Sequence, residues 1–162
     1  MTDNITVLGV GNILYQDDGV GIRVVEALSR EYDFSENVTI VDGGVLGINL
    51  LGIISRADRL IVVDTVINHG RPGDLHRLEH HEIPHRILAK NSLHQVDLIE
   101  ALTLCQALDH VPDTTIIGIE PLNLETLNEN LTPLIQARLP DLIQKVLEEI
   151  IHSGGTYTCK SS

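Results

Sequence analysis

The sequence predicts an α/β fold: a three-layer α/β/α sandwich around a mostly parallel twisted sheet of about five strands. Short runs rich in β-branched residues recur along the chain, at residues 5–10, 38–42, 60–64 and 114–119. Stretches with apolar residues at helical spacing lie between them. Aromatic residues make up 2% of the chain, so its core must be built from Leu, Ile and Val. Alternating strands and helices bury such side chains well.

Taken in order, residues 5–10 read as a buried strand. Residues 19–31 read as a helix, with Ile22, Val25 and Leu28 repeating on one face. Val38–Asp42 is a short strand running into Gly43 and Gly44, and Leu46–Ile54 a short helix. Leu60–Asp64 is a strand ending on a carboxylate. Gly70–Gly73 is a turn, and Asp74–Leu78 a brief edge strand. The polar stretch Glu79–Asn91 reads as a surface loop. Ser92, followed three positions later by Gln95, forms a capping-box pattern that starts a helix running to about Leu108. Thr114–Ile119 is the last strand, followed by Glu120 and Pro121. The final helix covers 132–152, with Pro133 near its start and Pro140 as a kink or the start of its main part. Residues 153–162 are expected to be loose, and the whole chain, 1–162, to form one domain.

Composition excludes several classes. Hydrophobic content of 43% argues against disorder. A formal net charge of -12, with 11 basic residues spread without a block, argues against a nucleic acid partner and an anionic membrane surface. No segment reaches membrane-spanning length and no secretory leader is evident, so a cytoplasmic protein is expected. Cys105 and Cys159 form no CxxC motif. Cys105 is expected to be a buried inert thiol, and Cys159 an exposed one.

The chemistry is concentrated after the first strand. Gly9-Val10-Gly11 opens like a dinucleotide-binding turn, but Leu14 stands where a third glycine belongs. The loop instead runs on to Asp17 and Asp18, which would repel a pyrophosphate. In an open α/β sheet, ligands bind at the rim formed by the strand C-termini. Asp18 follows the first strand, Asp64 ends a later one, and His94 lies in the first turn of the Ser92-capped helix. A helix N-terminus favours a neutral imidazole. Together they make a two-carboxylate, one-imidazole cluster suited to a divalent ion. Blander readings stand beside this one. Asp17 or Asp18 can cap the following helix, Asp64 can be a solvated strand-end carboxylate, and His94 a surface histidine. His69, His76, His80, His81, His85, His110 and His152 read as solvated side chains. No nucleophile-elbow serine motif is present, which argues against acyl-enzyme chemistry.

At this point the chain resembles the hydrogenase maturation proteases, endopeptidases that mature the large subunit of nickel-iron hydrogenases. The resemblance rests on residues 9–14, Asp17-Asp18-Gly19-Val20-Gly21, Asp42-Gly43-Gly44, Leu60–Asp64, Ser92-Leu93-His94-Gln95 and Gly118-Ile119-Glu120-Pro121. These motifs follow one another in order from about residue 5 to residue 152.

The resemblance implies a cytoplasmic, monomeric endopeptidase. Its partner would be the hydrogenase large-subunit precursor, whose short C-terminal extension it removes after nickel insertion. The family's metal-contacting residues fall on Asp18, Asp64 and His94. The first is commonly Glu in the family, so Asp18 is shorter by one methylene. Asp17 matches a family aspartate, and Gly43 and Gly44 match a segment that helps to recognise substrate. The nickel is presented by the precursor, with no tightly bound metal of the enzyme's own. A catalytic ion with bound water and direct activation of water by Asp18 or Asp64 are alternative routes. A dinucleotide-binding module and a non-cleaving escort protein for the precursor are the rival functions.

Overall fold

A computed structural model describes residues 2–44, 50–79 and 109–161. Within them, β1 (Ile5–Val10) leads through a short 3-10 turn (Gln16–Gly19) into α1 (Val20–Glu31). There follow β2 (Tyr32–Phe34), β3 (Val38–Gly44), α2 (Leu50–Ser55), β4 (Arg59–Thr65), β5 (Leu75–Glu79) and β6 (Asp113–Ile119). The chain closes with α3 (Pro133–His152) and β7 (Tyr157–Cys159).

The main sheet has the order β3-β1-β4-β6-β5. Its first four strands are parallel and β5 is an antiparallel edge strand, as the sequence predicts for a mostly parallel sheet. The period-2 alternation of the strands sorts their side chains between two layers. Ile5, Val7, Ile61, Val63, Ile117 and Ile119 face α1 and α3. Leu8, Val10, Leu60, Val62 and Ile116 face the side of α2, packing with Ile54. Each such side chain, taken fully out of water, contributes roughly 1.5–3 kcal/mol. The crossovers place α1 and α2 on opposite faces because β1 connects outward to β3 on one side, whereas β3 returns over β1 to β4 on the other.

Two glycines let α1 sit tightly against the sheet. A Cβ on Gly21 would lie 2.2 Å from the Val63 carbonyl oxygen and 2.4 Å from that of Val10. Gly11 has φ +136°, and a Cβ there would stand 1.9 Å from the Asp18 carbonyl oxygen. Any other residue at these positions must push the acidic loop or the helix off the strand ends.

Two sequence expectations are corrected. The segment expected to be loose, 153–162, contains β7, which pairs antiparallel with β2, a strand that residue periodicity did not reveal. Tyr32 and Tyr157 meet edge-on there with centroids 5.5 Å apart, and Phe34 packs beside them. Short polar segments carry too little pattern to announce such a pairing; three aromatic rings brought together from distant positions stabilise it. The final helix spans Pro133–His152, close to the expected bounds, with Pro140 inside it. Finally, neither Asp17 nor Asp18 caps α1, whose N-cap is Gly19 and has no side-chain cap. The expected loop beyond Glu79, the Ser92–Leu108 helix and Cys105 lie outside the described residues. Cys159 is exposed, as expected.

Candidate active site

In the parallel part of the sheet, β1 and β4 are neighbours whose onward connections leave in opposite directions. A crevice opens at such a switch point, outside the carboxyl ends of the strands. Asp18 and Asp64 belong to these two strand ends. Asp18 lies in the 3-10 turn that follows β1, and that turn packs against β4. Asp64 is the penultimate residue of β4, in register with Gly118 of β6.

Both carboxylates are nearly buried, Asp18 at 9% and Asp64 at 3% exposure. Asp18 Oδ2 accepts the Asn12 N–H at 3.1 Å, which folds the glycine turn back over the carboxylate. Asp64 Oδ1 accepts the Thr65 N–H at 2.7 Å. These hydrogen bonds fix the orientation of both carboxylates. His94 lies outside the described residues, so the expected third member of the cluster is not placed here. Among the described residues no group of three metal-ligating side chains is gathered.

Asp17 does different work from its neighbour. It is fully buried, and its Oδ2 accepts the N–H groups of Leu122 and Asn123 at 3.0 and 2.9 Å. Oδ1 accepts the Thr132 N–H at 2.8 Å and the Thr132 hydroxyl at 2.9 Å. Further backbone bonds join Asp17 N–H to the Asn123 carbonyl, Gln16 N–H to that of Asn128, and Asn128 N–H to that of Leu14. The acidic loop is thereby clamped to the segment between β6 and α3. A buried carboxylate with this many donors is compensated for its lost hydration. Sequence reading could not find this role, because three of the four donors are backbone amides that carry no residue signature.

Another buried carboxylate stands on the same rim. Glu120, just past β6, has 5% exposure. Its Oε1 takes the N–H of Asn68, that of Gly70 at 2.8 Å, and His76 Nε2 at 3.0 Å. His76, at 15% side-chain exposure, is therefore not a solvated side chain; His110 is exposed, as expected, with its Nε2 2.9 Å from the Ala57 carbonyl oxygen. His76 lies within β5, and His110 lies three residues before β6. The dinucleotide alternative fits poorly with this rim. The helix that should receive a pyrophosphate directly after the glycines begins only at Val20, and two carboxylates occupy the intervening turn.

Residues 22–149 match the family described as hydrogenase maturation protease. The chain is 36% identical to the hydrogenase 2 maturation protease of Escherichia coli, across 93% of this chain and 92% of that protein. It is 38% identical to the hydrogenase expression/formation protein HupD of Rhizobium leguminosarum bv. viciae, across 96% of this chain and 78% of that one. The solved structure of the hydrogenase-maturating endopeptidase HybD from E. coli superposes with a TM-score of 0.90 at 34% identity, covering 99% of this chain and 98% of that chain. A [NiFe] hydrogenase maturation protease from Thermococcus kodakarensis shares the fold at a TM-score of 0.71 and 21% identity, covering 92% and 99% of the two chains.

Proposed function

The chain belongs to the hydrogenase maturation proteases, and from that membership we propose that it removes the C-terminal extension of a nickel-iron hydrogenase large-subunit precursor after nickel insertion. Asp18, Asp64 and His94 contact the nickel that the precursor carries. The ion belongs to the substrate, and the enzyme acts as a cytoplasmic monomer.

The observation that supports this reading is that Asp18 follows β1 and Asp64 ends β4, two neighbouring parallel strands that flank the switch point. Carboxylate oxygens and an imidazole nitrogen are the donor set a borderline divalent ion accepts. Contact with the ion would hold the adjoining peptide against the rim, so that recognition becomes positioning. Asp18 or Asp64 then stands where a carboxylate can take a proton from the attacking water.

The test is to incubate the chain with the large-subunit precursor, with and without nickel loaded, and to weigh the precursor. Loss of a C-terminal peptide from the nickel-loaded form alone is expected. Equal cleavage of the metal-free form would defeat nickel recognition while keeping the peptidase. Cleavage of neither form by folded protein would shift the reading to a non-cleaving escort.

A further inference from the structure

Beside the carboxylate site lies a cleft of about 500 Å³ whose wall includes Ile67, Glu120, Leu122, Leu124, Glu125 and Thr126. Small-ligand sites have volumes of roughly 300–1,000 Å³, so it holds a side chain with its flanking backbone. Ile67 lies three residues beyond Asp64, and the backbone amides of Leu122 and Asn123 are those bonded to Asp17. Cleft and acidic loop thus share a wall.

Its chemistry is specific. The lining residues include two carboxylates, Glu120 and Glu125, and no Lys or Arg. Ile67 and Leu122 present exposed apolar side chains at 39% and 54% exposure. Glu120 is the informative member. Its Oε1 collects all three of its donors, whereas its Oε2 takes no hydrogen bond from the described residues. A carboxylate oxygen left without a donor at 5% exposure is costly, and native structures rarely leave one without a purpose. The three donors on Oε1 hold the group rigidly, leaving the second oxygen for something that arrives.

We propose that this cleft is a substrate subsite that takes an extended peptide segment with a cationic side chain flanked by aliphatic ones. The cation pairs with Glu120 Oε2, with Glu125 adding attraction at the mouth, and the aliphatic neighbours lie on Ile67 and Leu122. The proposal rests on the peptidase reading, since the segment belongs to the precursor beside the bond to be cut. Glu120 is a binding residue here and takes no part in bond cleavage.

The experiment needs neither nickel nor cleavage. The full chain, labelled with nitrogen-15, is titrated with blocked pentapeptides of alanine and valine whose central residue is lysine, norleucine or glutamate. Saturable shifts of the Ile67, Leu122 and Thr126 amides are expected with the lysine peptide, and binding roughly tenfold or more weaker with the norleucine one. Glu120→Gln keeps an oxygen for the Oε1 donors and should remove most of that preference. Glu125→Gln, at an exposed position, tolerates substitution even where the buried one does not, and should weaken the lysine peptide about threefold. Equal binding of the three peptides, shifts elsewhere, or a lysine preference untouched in both folded variants would overturn the subsite. Lysine-peptide binding by a chain that leaves nickel-loaded precursor uncut would keep the subsite and overturn the peptidase reading. Cleavage without peptide preference would do the reverse.

Discussion

Asp17 and Thr132, 115 positions apart in the chain, are joined twice, through the Thr132 N–H at 2.8 Å and its hydroxyl at 2.9 Å to the same carboxylate oxygen. Thr132 is the N-cap of α3, yet its side chain caps no amide of that helix. The hydroxyl that would normally accept an N3 amide is given to Asp17 instead. The start of α3 and the acidic loop are thus one mechanical unit, and Asp18 inherits its position from it.

Asp17→Asn should therefore destabilise the chain by about 3 kcal/mol, because an amide NH₂ would face the Leu122 and Asn123 N–H groups. Thr132→Val keeps the shape and the backbone bond and should cost about 1–2 kcal/mol. Urea midpoints measure both. A Thr132→Val chain as stable as the parent would mean that the side-chain bond contributes nothing.

Gly21→Ala should be among the most damaging single changes, costing about 3 kcal/mol or more, since the new methyl meets two carbonyl oxygens of β1 and β4. Gly154→Ala is the control. Unlike Gly21 it sits at positive φ, +104°, but a Cβ there would have nothing within 4 Å, so it should cost only about 1 kcal/mol. Thermal melts that rank the two in the opposite order would contradict the close packing of α1.

Asp18→Asn, Asp64→Asn and His94→Ala should each reduce processing of nickel-loaded precursor by about a hundredfold or more while leaving the melting temperature within a few degrees. Mass spectrometry of the precursor and circular dichroism read the two effects separately. A variant that cleaves at the parental rate removes its residue from the site.

Arg77 forms a two-pronged pair with Glu149 of α3, Nε to Oε2 at 2.9 Å and Nη2 to Oε1 at 3.1 Å. The bonds to Glu149, then to Glu79, raise the guanidinium further above its usual pKa. A group whose folded pKa is raised contributes fully below its unfolded pKa and loses that contribution only as pH rises through the folded one. For Arg77 that window lies beyond ordinary alkaline conditions, so the deficit of Arg77→Met should be the same at neutral pH as at moderately alkaline pH. With Arg77 37% exposed, solvent screening limits the loss to about 1–2 kcal/mol, although Glu149 itself is nearly buried. A deficit that vanishes between these pH values would assign it to a different group.

Sequence by itself determined the layers and the rim. The β-branched runs and apolar helix faces are local signals, repeated at fixed spacing, and burial of one face needs nothing more than that spacing. The same signals placed Asp18 after β1 and Asp64 at the end of β4, and the motifs identified the family. Tertiary structure decided what the other polar residues do. Asp17 and Asp18 are indistinguishable as text, yet one is fully buried as a clamp and the other accepts the Asn12 N–H of the glycine turn. Glu120 gains its role from Asn68, Gly70 and His76, up to 52 positions away, and the tail gains its strand from Tyr32 and Phe34. These roles stayed hidden because they depend on distant backbone amides and on cross-strand partners. Neither leaves a pattern in neighbouring residues, and both appear only when the sheet brings the segments together.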